Sequence, residues 1–232
     1  MDIVTVTCEL DSHQMIQQAE SISLFVEPCT HWVIVEGANV NLTVWKKRLA
    51  PYYKNHTLKL KTYDNDMWPK LNPKYHGYYI QQISKDIKND YLLLDIKNLF
   101  LKKINTEQFR NQSGDGSSYN FQNDNPHLEI HIPTIERYAD KLSIPVDYEH
   151  LNPILPFVIN YEVMKQIPNL EKILEWFSDR GSIRMSEFLL YSSLCKKYNY
   201  TPKVSLDLIK STYFWKQESF LKNEKLDDIY TV

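Results

Sequence analysis

Four short runs of strand length, over residues 3–7, 31–35, 57–63 and 91–94, alternate with stretches of helical spacing, and this alternation narrows the choice of folds sharply. The first run, IVTVT, is apolar and β-branched, as a strand buried on both faces requires. Ser12 is placed to cap a helix over 13–26, in which Ile16, Ala19, Ile22, Ser23 and Val26 share one stripe. The second run closes on Glu36 and Gly37, and a helix is expected over 42–53. In the third run Leu58, Leu60 and Thr62 alternate with lysines. A helical pattern over 75–88 then leads into YLLL, followed at once by Asp95. Strands separated by helices of this length imply right-handed βαβ crossovers and a mainly parallel sheet covered on both faces. Ligands of such sheets lie beyond the carboxyl ends of the strands, which makes Thr7, Cys8, Glu9, Glu36, Asp64, Asp66 and Asp95 candidates by position.

The pattern changes after residue 105. Residues 110–124 are rich in Asn, Gln, Ser and Gly and predict a mobile loop. HLEIHIP reads as a strand, and from Pro156 onward helical stripes run through 157–167, 170–177 and 188–198. With no internal repeat and no hinge-like linker, the 232 residues read as one domain: a nucleotide-binding α/β half over 1–105 and a mostly helical, acceptor-side half over 106–232.

A formal net charge of −2 with scattered basic residues gives no footprint for nucleic acid. Lys46, Lys47 and Arg48 read as a solvated helix face. The opening MDIVTVTCELD has no basic region before an apolar core, and nowhere do eighteen apolar residues run together, so neither secretion nor a membrane span is expected. Cys8, Cys29 and Cys195 are an odd number without a CxxC pair, which argues against disulfides or structural zinc. They read as buried or neutral thiols of a cytoplasmic protein. The sequons at Asn41, Asn55, Asn111 and Asn199 are then chance.

Three stretches in fixed order, GYYIQQISK (77–85), YLLLDIKNLF (91–100) and MSEFLLY (185–191), resemble an uncharacterised family of glycosyltransferase-like proteins from bacteria and phages. The resemblance spans roughly the whole chain. It implies an α/β fold of the GT-A type, Rossmann-related, with an α-rich carboxyl part. It also implies transfer of a sugar from a nucleotide-diphosphate donor to an unknown glycan or other hydroxyl acceptor, in the host cytoplasm where the member is phage-encoded. Tyr78 and Tyr79 stand where the family usually shows a Gly-Trp pair.

In most enzymes of this fold an Asp-x-Asp pair ends a central strand, where two carboxylates hold Mn or Mg against the diphosphate. Here the tripeptide is Asp95, Ile96, Lys97, followed by Asn98, so a cation replaces the second carboxylate. Lys97 can meet the phosphates as a point charge and Asn98 can add a neutral donor, giving a site in which metal, with Asp95 its one carboxylate, is weakly held or absent. The plainer reading is a strand-end ion pair in a protein that has lost transferase chemistry. Gln81, Gln82 and Lys85 share a helix, with Gln81 and Lys85 a turn apart on one face, and their long polar side chains can reach the donor or brace the Asp95 loop; the resemblance favours Gln82 for function, whereas composition alone suggests a solvated face.

Glu187 would sit in the first turn of the helix begun by Ser186, where the dipole stabilises a carboxylate in any case. The functional alternative makes it either a group that binds sugar hydroxyls or the base that deprotonates an acceptor hydroxyl, with Asp147 and Asp179 as weaker candidates for that base. His127, Glu129 and His131 share one face of a strand and can bind a transition metal, though such a pattern more often marks a wet strand face. Glu9, Glu36, Asp64 and Asp66 can accept bonds from ribose or base, or cap helices. The rival functions are a catalytically inactive nucleotide- or glycan-binding protein, a phage structural or host-interaction protein, and, more distantly, a nucleotidyltransferase.

Overall fold

The computed structural model describes residues 1–37, 39–63, 87–109, 157–166 and 212–214, together with Glu136, Ala139, Asp140, Ser143, Pro145, Tyr191, Leu194, Cys195, Lys197 and Tyr198. Seven strands are described: β1 (Asp2–Cys8), β2 (Thr30–Glu36), β3 (Thr57–Tyr63), β4 (Tyr91–Leu94), β5 (Asn98–Phe100), β6 (Phe157–Ile159) and β7 (Thr212–Phe214). The described α-helices are α1 (Ser12–Phe25), α2 (Leu42–Leu49) and α3 (Tyr161–Met164). Five strands form one sheet in the order β3-β2-β1-β4-β6, and β5 pairs with β7.

As the alternation predicts, β1 to β4 run parallel, with Thr5 opposite both Val33 and Leu94 and Glu36 opposite both Cys8 and Tyr63. β6 is antiparallel to β4, Val158 facing Leu92. Residues 157–159, expected to open a helix, are therefore a strand. They cover the open edge of β4, and Asn160 starts α3 only afterwards, its Oδ1 accepting the Val163 N–H at 3.1 Å.

Two more expectations need correction at helix ends. Ser12 is the first residue of α1 and not its cap; Asp11 holds the cap position, and its carboxylate accepts the Cys8 thiol hydrogen at 3.3 Å. The helix expected over 42–53 is α-helical only to Leu49. Pro51 has no N–H to continue the ladder, and the chain tightens into a 3-10 turn, Ala50–Tyr52.

The inward face of α1 also differs. It buries Met15, Ala19 and Ile22 but with them Gln14, Gln18 and Ser21, whereas Ser23 is exposed and Ile16 only half-buried. Two apolar clusters lie under this helix. One joins Ile22 and Val26 to Ile3, Leu92, Leu94 and Phe100. The other joins Met15 and Ala19 to Val33, Val35, Trp45 and Ile96. After β2 the chain turns through Gly37 at φ +134, a conformation that a side chain would strain.

Tyr191, Leu194, Cys195 and Lys197 are helical, as the stripe over 188–198 predicts. The helix over 75–88 up to residue 86, the loop over 110–124, the HLEIHIP strand and the stripe over 170–177 lie outside the described residues.

Candidate functional site

Because β1 to β4 are parallel, their carboxyl ends share one edge of the sheet. The sheet order adds a second constraint. From β1 the chain moves outward through β2 to β3, then returns to place β4 on the other side of β1. The strand order reverses between β1 and β4, and a crevice outside the carboxyl ends forms at such a reversal.

Asp95 emerges at this point. It is half-buried and opens a tight turn into β5: the Asn98 N–H donates to the Asp95 carbonyl at 3.0 Å. Side chains lock the same turn. Asp95 Oδ1 accepts the Lys97 N–H at 2.9 Å, and Asn98 Oδ1 accepts the Asp95 N–H at 2.9 Å. Asp at the first position of such a turn and a buried Ile96 below it explain why LDIKN folds locally as it does. Asn98, 1% exposed, acts from inside the turn and holds its shape. Lys97 is half-buried at the turn's second central position.

Gln18 is absent from the candidates legible in the sequence. It reaches from α1 to donate through Nε2 to the carbonyls of Asp95, at 2.7 Å, and Asn98, at 3.0 Å. The signal that could have revealed it is a glutamine one turn from both Met15 and Ile22 on the apolar stripe, since a polar side chain buried there must have partners.

Across β1, the acids of the edge are close enough to perturb one another. The half-buried Glu36 carboxyl is raised above the usual carboxylate range, chiefly by burial and also by the charge of Asp11. Its Oε2 is shielded from solvent and has no hydrogen-bond partner among the described residues. The Cys8 thiol is raised as well, by burial first and by its bond to Asp11 next. Thr7 is buried and donates to the Cys8 carbonyl at 3.4 Å. Glu9 is ion-paired with Arg48 of α2 on the exposed side, a contact of low energy.

The edge thus gathers Thr7, Glu9, Glu36, Asp95, Lys97 and Asn98. Asp64, Asp66, Gln81, Gln82, Lys85, His127, Glu129, His131, Asp147, Asp179 and Glu187 lie outside the described residues. A separate open cavity of about 460 Å³ lies between α2 and β3, lined by Leu42, Lys46, Tyr53, His56, Leu58 and Leu60 among others; no strand-end candidate lines it. Among the described residues no helix is long and apolar enough to cross a membrane.

For a divalent cation the turn offers one carboxylate, with one oxygen already accepting a backbone N–H and a lysine two positions on. No group of three or more His, Cys, Asp or Glu placed to hold a metal ion occurs among the described residues.

No family model matches the sequence, and no curated protein matches it. Solved glycosyltransferases do resemble the structure. The galactosyltransferase LgtC, in complex with donor and acceptor sugar analogues, is 16% identical with a TM-score of 0.50, over 84% of this chain and 70% of that one. Core-mannan synthase A from Aspergillus fumigatus, in a Mn/GDP form, gives a TM-score of 0.54 at 8% identity, over 87% of this chain and 71% of that one. The bifunctional glycosyltransferase WbbM gives 0.50 at 12% identity, over 89% of this chain and 38% of that one. At such identities the likeness concerns architecture: the chain has the GT-A fold, a mostly parallel sheet flanked by helices.

Proposed function

We propose that the protein is a glycosyltransferase that takes a sugar from a nucleotide-diphosphate donor and passes it to a hydroxyl acceptor. The observation that carries this reading is the turn Asp95 to Asn98, held rigid at the reversal between β1 and β4 in a GT-A fold. Lys97 meets the diphosphate there as a point charge and offsets the charge that develops on the leaving group. Because a lysine stands where a second carboxylate would bind metal, the site works without a tightly held cation. Asp95 orients Lys97 or a ribose hydroxyl.

Glu9, Glu36 and Asp64 face the nucleoside. The Oε2 of Glu36, without a hydrogen-bond partner among the described residues, supports its share, since a ligand hydroxyl or base N–H satisfies it. Gln82 and Lys85 support the donor, and Glu187 acts on the acceptor as base. Of the solved structures named above, LgtC holds donor and acceptor sugar analogues and core-mannan synthase A holds Mn and GDP, which supports a donor of this class.

Calorimetric titration with UDP-, GDP- and TDP-sugars, with and without manganese, tests the reading. Saturable binding by one donor, weakened about tenfold in Lys97→Ala and little changed by chelator, is the expected result. Failure of every donor to bind removes it. A second reading, an inactive protein that keeps the fold and binds the nucleotide sugar, is favoured by the same missing carboxylate; it predicts donor binding with no release of nucleoside diphosphate when acceptors are screened.

A further inference from the structure

A continuous chain of buried polar side chains crosses the sheet and ends on the Asp95 turn. Tyr53, in the segment after α2, contacts His31 of β2 through its hydroxyl and Nδ1 at 2.6 Å. The other ring nitrogen, Nε2, lies 3.0 Å from Thr5 Oγ1 on β1. Thr5 Oγ1 donates to Gln18 Oε1 at 2.7 Å, and Gln18 Nε2 donates to the Asp95 and Asn98 carbonyls. Thr5, Gln18 and His31 have no exposed surface and Tyr53 is 7% exposed.

The hydrogens along this chain have one consistent arrangement. Both carbonyls only accept, which fixes the Gln18 amide with its nitrogen toward the turn and its oxygen toward Thr5. Thr5 has one hydroxyl hydrogen and gives it to Gln18, so its oxygen accepts from His31 Nε2–H. Nδ1 is then bare and takes the Tyr53 hydroxyl hydrogen. A neutral ring fits this scheme, and burial lowers the His31 pKa to about 3.

We propose that Gln18 is a positioning residue for the turn that faces the donor diphosphate, and that Thr5, His31 and Tyr53 fix the direction in which it acts. The proposal rests on the reading of that turn as the diphosphate site. The turn's own bonds set its local shape, but those bonds are all internal to it. Gln18 ties its first and last carbonyls to α1, and Thr5 prevents the amide from rotating. The chain therefore sets where Lys97 stands relative to the β1 edge.

Thr5→Val removes the hydroxyl at nearly constant volume, and position 5 lies one residue removed from the turn in the chain of contacts. Thr5→Ser restores the hydroxyl. The amides of Asp95, Lys97 and Asn98 are each bonded inside the turn and report its opening by hydrogen exchange. Their protection in Thr5→Val is expected to fall about tenfold relative to the amides of Val33 and Val35 in β2. Thr5→Ser is expected to return it, and donor affinity to fall and recover in step.

Equal loss of protection in turn and strand, or an unchanged turn, overturns the proposal. If the turn loosens as expected while wild-type protein binds no donor, the positioning role stands and the diphosphate reading fails. Should Thr5→Val not fold, Gln18→Met, of similar volume and without donors, carries the same comparison.

Discussion

His31 has no exposed surface, and its pKa of about 3, set mainly by burial with a contribution from His56, lies well below the ordinary value of 6.5. The unfolded chain accepts a proton at this position that the folded chain refuses. Between pH 6.5 and 3 the unfolded state therefore binds more protons, and stability falls as the pH falls. The contribution is complete above pH 6.5 and declines below it by up to about 1.4 kcal/mol per pH unit. His56 is lowered too and acts in the same direction. Urea denaturation at a series of pH values is expected to show this slope, and a visibly shallower one in His31→Gln. An identical slope in both proteins would mean that the ring is not held neutral. At this scale the sequence showed the edge acids, because Glu36 and Asp95 follow apolar runs. It hid His31, Thr5 and Gln18, since a buried polar side chain is justified by partners distant in sequence, and hydropathy carries no record of partners.

Whole elements were legible where one local cause dominates. The bounds of β3 and β4 match the apolar and alternating runs, because a parallel strand needs little beyond that pattern. β5, β6 and β7 were not legible. Each is three residues long and exists by pairing, β6 with β4 and β5 with β7, so its cause lies in another part of the chain. The buried face of α1 departs from the apolar stripe for a related reason: Ser21 is inside because its Oγ accepts the Phe100 N–H at 3.3 Å and donates to the Gln18 carbonyl at 2.9 Å. α2 offers a cleaner local case. The side chain of Asn41 accepts the N–H groups of Thr43, at 3.1 Å, and Val44, at 3.3 Å, two donors of the helix's first turn, of which Val44 also donates to the Asn41 carbonyl at 3.0 Å. Asn41→Ala is expected to lower stability by about 1 kcal/mol, and Asn41→Asp to keep most of it. Thermal unfolding of the two variants checks this, and equal losses would show that the cap bond contributes nothing.

Register connects the whole molecule to the turn. Thr5 stands in β1 between Val33, which belongs to one apolar cluster, and Leu94, which belongs to the other. The polar chain through Thr5, Gln18 and His31 therefore runs where the core divides, with apolar packing on both sides to exclude water from it. α1 spans the division, contributing Ile22 to one side and Met15 and Ala19 to the other. If the helix couples the two sides, they unfold as one unit. Ile22→Ala opens a cavity on the β4 side, and truncations of this kind cost about 2 to 5 kcal/mol. Native-state hydrogen exchange at low denaturant then has a definite outcome: the most protected amides of β2, around Val33 and Val35, lose as much protection as those of β4, around Leu92 and Leu94, although Ile22 belongs to the other apolar cluster from Val33 and Val35. Loss confined to β4 would show two separable cores, and a turn lying between them would no longer be held from both sides.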